Sequence, residues 1–236
     1  MKGRLYLIPT TLGGEQWEKV VPNHVATITR SLRYFIAEDV RTARRYLSRL
    51  GMSVPIDELV FDTLNEHSTL ADVHHLIVPL QSGTDVGLIS EAGVPAIADP
   101  GSSLIRLAHE KGIQVVPLTG GSSILMALMA SGLNGQSFAF VGYLPIKPDE
   151  RSRRIRQLEA RSRDEGQTQL FIEAPYRNNQ LLKALVSILH PETYLHISCD
   201  LTLETEFVAT RRVKEWANHI PNLHKRPCVF GILTEN

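Results

Sequence analysis

The strongest constraint on the fold is an alternation of short apolar runs with helical patterns in the first half of the chain. Strand-like runs occupy residues 5–8, 34–37, 86–90 and 115–117. This alternation is typical of α/β proteins, in which helices connect parallel strands and cover both faces of the sheet. The sequence therefore predicts a doubly wound, largely parallel sheet for the first half.

Two residues mark the expected ends of helices in this half. The helical pattern 42–50 stops at Gly51, where a glycine in the left-handed conformation favours a helix end. The pattern 68–80 contains Pro79, which removes a backbone donor and predicts a kink or an end near that residue.

The second half of the chain has a different pattern, with fewer regular alternations. Some of its strands are expected to pair antiparallel, which predicts a mixed sheet. A hinge is expected at 118–122, so the predicted domains are 1–117 and 118–236. The predicted strands of this half are 137–141, 169–172, 194–199 and 228–233, and its predicted helices are 151–163 and 178–190.

Composition excludes several classes of protein. With 236 residues, 43% of them apolar and 21% charged, the chain is expected to form a globular core. Its apolar runs are too short to cross a membrane, and no export signal precedes the first strand, so a cytoplasmic location is expected. The two cysteines predict neither a disulfide framework nor a metal site. A net charge of zero argues against unselective binding to nucleic acid but allows a local basic face.

Loops that follow predicted strands are the candidate sites of chemistry, because ligands of open α/β sheets bind at the carboxyl ends of strands. Neither GxGxxG nor GxxxxGK[ST] occurs, which argues against a dinucleotide-binding Rossmann site and a P-loop. The candidate loops are 9–14, 90–95 with 99–101, 119–123 and 173–177.

Each loop also has a purely structural explanation. The glycines of 9–14 suit an ordinary strand-to-helix turn as well as a ligand. Glu91 is expected to contact a ligand, whereas Asp99 is expected to cap the helix that begins near Gly101. The segment 119–123 suits a carboxylate or phosphate, or a capped helix start.

Taken in order, these motifs resemble the tetrapyrrole methylase superfamily, and within it the branch that methylates a cytidine ribose of small-subunit ribosomal RNA. The similarity extends over nearly the whole chain. The matching segments are 5–10 with 12–13, 37–39 with 41–42, 65–66, 90–93 with 95, 99–101, 131–133, 142–145, Glu173 with Pro175 and Arg177, 201–202 and Glu206.

The resemblance implies two α/β domains, S-adenosylmethionine bound in the cleft between them, and a homodimer. It also implies a set of cofactor contacts, several of which are apolar side chains suited to gripping adenine. These contacts are Leu12, Glu91, Val94, Ser122, Ser123, Ile172, Leu201 and Cys228.

The methyl acceptor is less constrained, since the chain departs from the RNA branch. Cys199 and Leu203 stand where that branch tends to have arginine and lysine, and this mildly favours a tetrapyrrole precursor as the acceptor. Another alternative is a noncatalytic RNA-binding relative. The RNA hypothesis predicts ribosomal RNA or the small ribosomal subunit as the partner.

Candidate residues for the acceptor side are polar or basic. A base that removes a hydroxyl proton is sought among Glu38, Asp39 and Glu66, each of which could also be structural. The arginines of 41–49 and 151–163 could contact phosphates or form solvated helix faces. The predicted substrate contacts are Arg41, Asn65, Tyr143, Arg151, Arg154 and Arg177.

Overall fold

The computed structural model describes residues 1–235 and divides into two compact units. Unit 1 comprises Met1–Ser122, and unit 2 comprises Ser123–Asn236. Each unit contains one five-stranded sheet. No helix within residues 1–235 is both long enough and apolar enough to cross a lipid bilayer.

Unit 1 is built on a parallel sheet, as the sequence predicts. Its elements are β1 (Arg4–Ile8), α1 (Asn23–Ser31), β2 (Tyr34–Ala37), α2 (Val40–Leu50), β3 (Val60–Thr63), α3 (Leu70–Leu76), α4 (Val78–Gln81), β4 (Val86–Ile89), α5 (Ser102–Glu110) and β5 (Gln114–Pro117). The spatial order of the strands is β3-β2-β4-β1-β5, and every adjacent pair is parallel.

The helix ends in unit 1 follow from local chemistry. Asp39 caps α2, because its carboxylate accepts a hydrogen bond of 2.6 Å from the backbone N–H of Thr42. Gly51 ends α2 in the left-handed conformation, with φ of 77°. The helical pattern around Pro79 is interrupted at Ile77, which separates α3 from α4. The cap at Gly51 and the break near Pro79 are therefore confirmed.

Successive strand residues point to opposite faces of this sheet, and each face carries its own hydrophobic core. Phe35 packs in a cluster with Leu47 of α2, whereas Ile36 packs in a second cluster with Leu104 of α5. All four residues of β4 are buried, which suits the central strand of a sheet covered on both faces.

Unit 2 contains the mixed sheet that the sequence predicts. Its elements are α6 (Ser123–Ser131), β6 (Phe138–Tyr143), α7 (Pro148–Glu165), β7 (Thr168–Ile172), α8 (Asn178–Ile188), β8 (Tyr194–Cys199), β9 (Phe207–Arg212), α9 (Val213–Trp216) and β10 (Cys228–Leu233). The strand order is β6-β7-β10-β8-β9, in which β6 and β7 are parallel and the other neighbours antiparallel.

The helices of unit 2 pack on the two faces of its sheet. Leu170 of β7 packs with Leu128 of α6, while the next residue, Phe171, packs with Ile155 of α7 and Leu181 of α8. The alternation along β7 thus places α6 on one face and α7 with α8 on the other.

Candidate functional site

The candidate site of unit 1 lies where β1, β2 and β4 end side by side. Since β4 lies between β2 and β1 and all three are parallel, the loops that follow them emerge at the same edge of the sheet. This is the edge at which open α/β sheets bind ligands. The loops in question are 9–14, 38–39 and 90–101.

Hydrogen bonds join the loop after β1 to the loop after β4. The backbone N–H of Thr10 donates to the carbonyl of Gly93 at 2.8 Å, and the N–H of Gly93 donates to the carbonyl of Thr11 at 3.3 Å. A Cβ on Gly93 would lie 3.0 Å from a side-chain carbon of Leu12, and Gly93 has φ of 76°. Glycine is therefore required where the two loops meet.

The loop after β5 packs against the same pair of loops. A Cβ on Gly120 would lie 2.2 Å from the Cβ of Pro9, so no side chain fits there. The carbonyl oxygen of Gly121 lies 3.2 Å from the position that a Cβ on Gly93 would take. The structure thus brings together the three loops that carry four of the predicted cofactor contacts, namely Leu12, Glu91, Val94 and Ser122.

The loop between β4 and α5 is conformationally strained. Ala96 and Ala98 have φ of 64° and 62°, a region in which a side chain costs roughly 1–2 kcal/mol. Gly101 in the same loop has φ of 137°, and a Cβ on it would lie 2.9 Å from Leu88. Strain of this kind persists where the surrounding structure requires it, and it is concentrated at ligand sites.

Three carboxylates face one another at this edge. The pKa of Asp99 is raised to about 6, first by burial and then by the charges of Glu38 and Glu91. Oδ2 of Asp99 is buried and has no hydrogen-bond partner within residues 1–235. Burial, followed by the charges of Glu91, Glu66 and Asp39, also raises the pKa of Glu38. This arrangement favours a ligand that carries positive charge.

The expectation that Asp99 caps α5 was wrong. The N-cap position belongs to Gly101, and no side chain caps the helix there. Asp99 lies two residues before this N-cap, and its buried Oδ2 accepts no hydrogen bond within residues 1–235.

The three predicted base candidates have different environments. Hydrogen bonds from Thr42 lower the pKa of Asp39, which serves as the cap of α2. Glu66 is exposed and lies 3.6 Å from His67. Glu38 is half-buried, and it lines a crevice with Glu91 at the ends of β2 and β4. Of the three, Glu38 is the one whose pKa is raised, as proton exchange with an acceptor requires.

In unit 2 the predicted cofactor contacts gather at one edge of the sheet. Ile172 ends β7 and pairs with Val229, the second residue of β10, while Cys228 pairs with Cys199 at the end of β8. Leu201 lies two residues after the end of β8 and is 8% exposed. Tyr143, a predicted substrate contact, pairs with Ile172 and is 61% exposed at the same edge. Ser123, the remaining contact, is the first residue of α6.

Arg177 is engaged within unit 2. Its guanidinium donates to Oε1 of Glu173 from Nε at 2.9 Å and from Nη2 at 2.6 Å, and it lies over the ring of Tyr176. The side chain of Glu173 is fully buried, and its Oε2 has no partner within residues 1–235. Arg177 therefore neutralises a buried carboxylate at the end of β7.

The other predicted substrate contacts are scattered over both units. Arg151 is 4% exposed on the buried side of α7, so it does not belong to a solvated helix face. Arg154 on the same helix is partly exposed. Arg41 is exposed near the start of α2, whereas Asn65 closes a turn by accepting from the N–H of His67 at 2.9 Å.

Comparison with known proteins identifies similar sequences. Residues 28–217 match the profile of the family described as Tetrapyrrole (Corrin/Porphyrin) Methylases. The chain is 31% identical over 233 residues to the ribosomal RNA small subunit methyltransferase I of Haemophilus influenzae, covering 98% of this chain and 78% of the relative. The protein of the same name in Bacillus subtilis is 31% identical, with coverage of 92% and 70%.

Solved structures share the fold. The methyltransferase CobJ aligns with a TM-score of 0.63 at 16% identity, covering 97% of this chain and 93% of that protein. The uroporphyrin-III-C-methyltransferase of Thermus thermophilus aligns with a TM-score of 0.56 at 17% identity, with coverage of 99% and 93%. At these identities the likeness supports the two-sheet α/β architecture alone.

Proposed function

Because the chain belongs to the tetrapyrrole methylase family and is a methyltransferase, we propose that it transfers a methyl group from S-adenosylmethionine to a ribose 2′-hydroxyl of small-subunit ribosomal RNA. The observation that carries the proposal is the joining of the loops after β1, β4 and β5 around Gly93, with the carboxylates of Glu91 and Asp99 beside them. The names of the similar proteins support RNA as the acceptor.

The residues of unit 1 fit S-adenosylmethionine, whose sulfonium and ammonium groups are positively charged. Asp99 offers an unpartnered buried oxygen, and Glu38 and Glu91 add negative charge around it. The bound cofactor supplies an activated methyl group. The chain's own loops hold and orient the donor, and holding two reactants in line can remove roughly 7–11 kcal/mol of a barrier.

We assign removal of the acceptor proton to Glu38. Its carboxylate is half-buried, its pKa is raised, and it lies at the carboxyl end of β2 beside Glu91. Glu38→Gln should lower kcat by about 10²-fold and remove the acid limb of the pH profile. Full turnover by Glu38→Gln would exclude this role.

The experiment that tests the function is transfer of labelled methyl from S-adenosylmethionine to small ribosomal subunits that lack the modification. Tetrapyrrole precursors are incubated in parallel. We expect label in the RNA, resistant to alkaline cleavage at one nucleotide because the 2′-oxygen is blocked. Label in a tetrapyrrole alone, or no label in either acceptor, would contradict the proposal.

The proposal includes a homodimer that acts in the cytoplasm, where small ribosomal subunits are found. Helix α6 supports association of two copies, since it contains no charged residue and its Met129 is 79% exposed. Apolar helix faces of this kind are often covered by a partner.

A further inference from the structure

A cavity next to the proposed donor site has features that the donor does not explain. It has a volume of about 170 Å³ and lies between α2 and the loop after β1. Arg45, Arg49, Thr11 and Glu91 are among the residues that line it. A cavity needs only about 10–15 Å³ to hold one water, so this cavity admits a group much larger than a single water.

The arginines of this cavity come from one ridge of α2. Arg41, Arg45 and Arg49 are spaced four residues apart, so they lie one above another along the helix. Arg49 forms an ion pair with Glu15. Arg45 is exposed and forms no hydrogen bond or ion pair with any of residues 1–235, so its guanidinium is available to a phosphate.

The remaining polar groups suit a phosphodiester better than a free polyanion. The hydroxyl of Thr11 has no hydrogen-bond partner within residues 1–235 and can donate to a phosphate oxygen. Glu15 and Glu91 also line the cavity, and their negative charges oppose a ligand with several charges. A single phosphodiester with its sugar hydroxyls matches this mixed lining.

We propose that this cavity, the arginine pocket, binds one sugar–phosphate unit of the RNA substrate next to the nucleotide that is methylated. The inference rests on the proposed function, and it names the part of unit 1 that holds the acceptor. Glu91 lines both the arginine pocket and the crevice with Glu38, so an RNA strand held by Arg45 would lie against the assigned base.

The test compares Arg45→Gln with Arg106→Gln. Arg106 is an exposed arginine of α5 in the same unit, and α5 packs on the opposite face of the sheet, so both variants lose one positive charge. For each protein the affinity for unmodified small subunits, the KM and kcat of methyl transfer, and the affinity for S-adenosylhomocysteine are measured at several salt concentrations.

For Arg45→Gln we expect an RNA dissociation constant and KM about tenfold higher, an unchanged kcat and unchanged affinity for S-adenosylhomocysteine. The plot of log affinity against log salt should become less steep, with a slope smaller in magnitude by about 1, because one phosphate contact is lost. Arg45→Lys should restore part of the affinity, and Arg106→Gln should match the wild type.

The outcomes separate this inference from the proposed function. If the wild type methylates RNA and Arg45→Gln binds RNA as Arg106→Gln does, the arginine pocket is overturned and the function stands. If the wild type transfers no methyl to RNA, the function fails. In that case, if Arg45→Gln binds RNA as tightly as the wild type, the arginine pocket is overturned as well. If Arg45→Gln loses RNA affinity and Arg106→Gln does not, the arginine pocket is supported.

Discussion

The protonation of Asp99 should be visible in the pH dependence of stability. Its pKa is about 6 in the folded protein and 3.8 in the unfolded chain, so its contribution to stability is present below pH 3.8 and is lost as the pH rises through 6. We expect Asp99→Asn to be more stable than the wild type at pH 8 by about 1 kcal/mol. A pKa shift of about two units corresponds to about 3 kcal/mol in the free energy of unfolding. The expected effect is smaller because the Asp99 carboxylate is partly exposed to solvent.

Urea denaturation at pH 5 and pH 8 measures this difference. The increase in the free energy of unfolding caused by Asp99→Asn should be smaller at pH 5, where Asp99 of the wild type is largely protonated. Asp57→Asn is the control, since the side chain of Asp57 is 92% exposed and its loss should change stability by less than about 0.5 kcal/mol. An Asp99→Asn protein no more stable than the wild type at pH 8 would refute the prediction.

Sequence reasoning located the carboxylates of the site but not their roles. Glu38 and Asp39 follow a predicted strand, and position along the chain alone cannot distinguish a base from a helix cap. Asp99 precedes a helix and was therefore expected to cap it, whereas the N-cap residue of that helix is Gly101. Both distinctions depend on where the helix begins and on burial and neighbouring charges, which only the folded chain supplies.

The junction between β7 and α8 depends on the ion pair of Glu173 and Arg177. The side chain of Glu173 has no exposed surface, and that of Arg177 is 20% exposed. Arg177→Ala would leave a buried carboxylate without a counter-charge, and breaking such a pair typically costs about 3–5 kcal/mol. We expect a loss of this size in the free energy of unfolding, measured by denaturant titration.

A matched variant distinguishes the buried charge from a general effect of losing arginine. Arg163→Ala removes an arginine whose ion pair with Asp164 is largely exposed, and it should change stability by less than about 1 kcal/mol. The double variant Glu173→Gln with Arg177→Ala should recover part of the stability, since no charge remains buried. Equal stability of Arg177→Ala and Arg163→Ala would contradict this interpretation.

The strands that the sequence predicts well are those with strong hydrophobic patterns. The central strands β1, β2 and β4 are apolar runs, and β8 and β10 are almost fully buried. The edge strands β3 and β9 were missed, because their exposed and polar residues give weak periodicity. Helix α1 was missed as well, since its N-cap residue, Pro22, provides no side-chain cap.

Charge over the whole molecule gives little guidance about its partner. The net charge is zero, so any affinity for RNA must come from local groups such as Arg45. Some arginines of α7 are already paired with acidic neighbours, as Arg161 is with Glu165, and Arg151 is buried. The number of arginines in a segment is therefore larger than the number available to phosphates. Arginines without an acidic partner, such as Arg45, are the better candidates for contacts with RNA.

Association of two copies is the remaining property of the whole molecule that can be tested directly. Met129 and Leu125 lie four residues apart on α6 and are 79% and 56% exposed, so they share one side of an uncharged helix.

Met129→Glu should convert the proposed dimer to a monomer in sedimentation at micromolar concentration, because a buried unpaired carboxylate opposes association. Gln180→Glu adds the same charge on an exposed position of α8 and should remain dimeric. A monomeric wild type would remove the dimer proposal, and a dimeric Met129→Glu would move the interface away from α6.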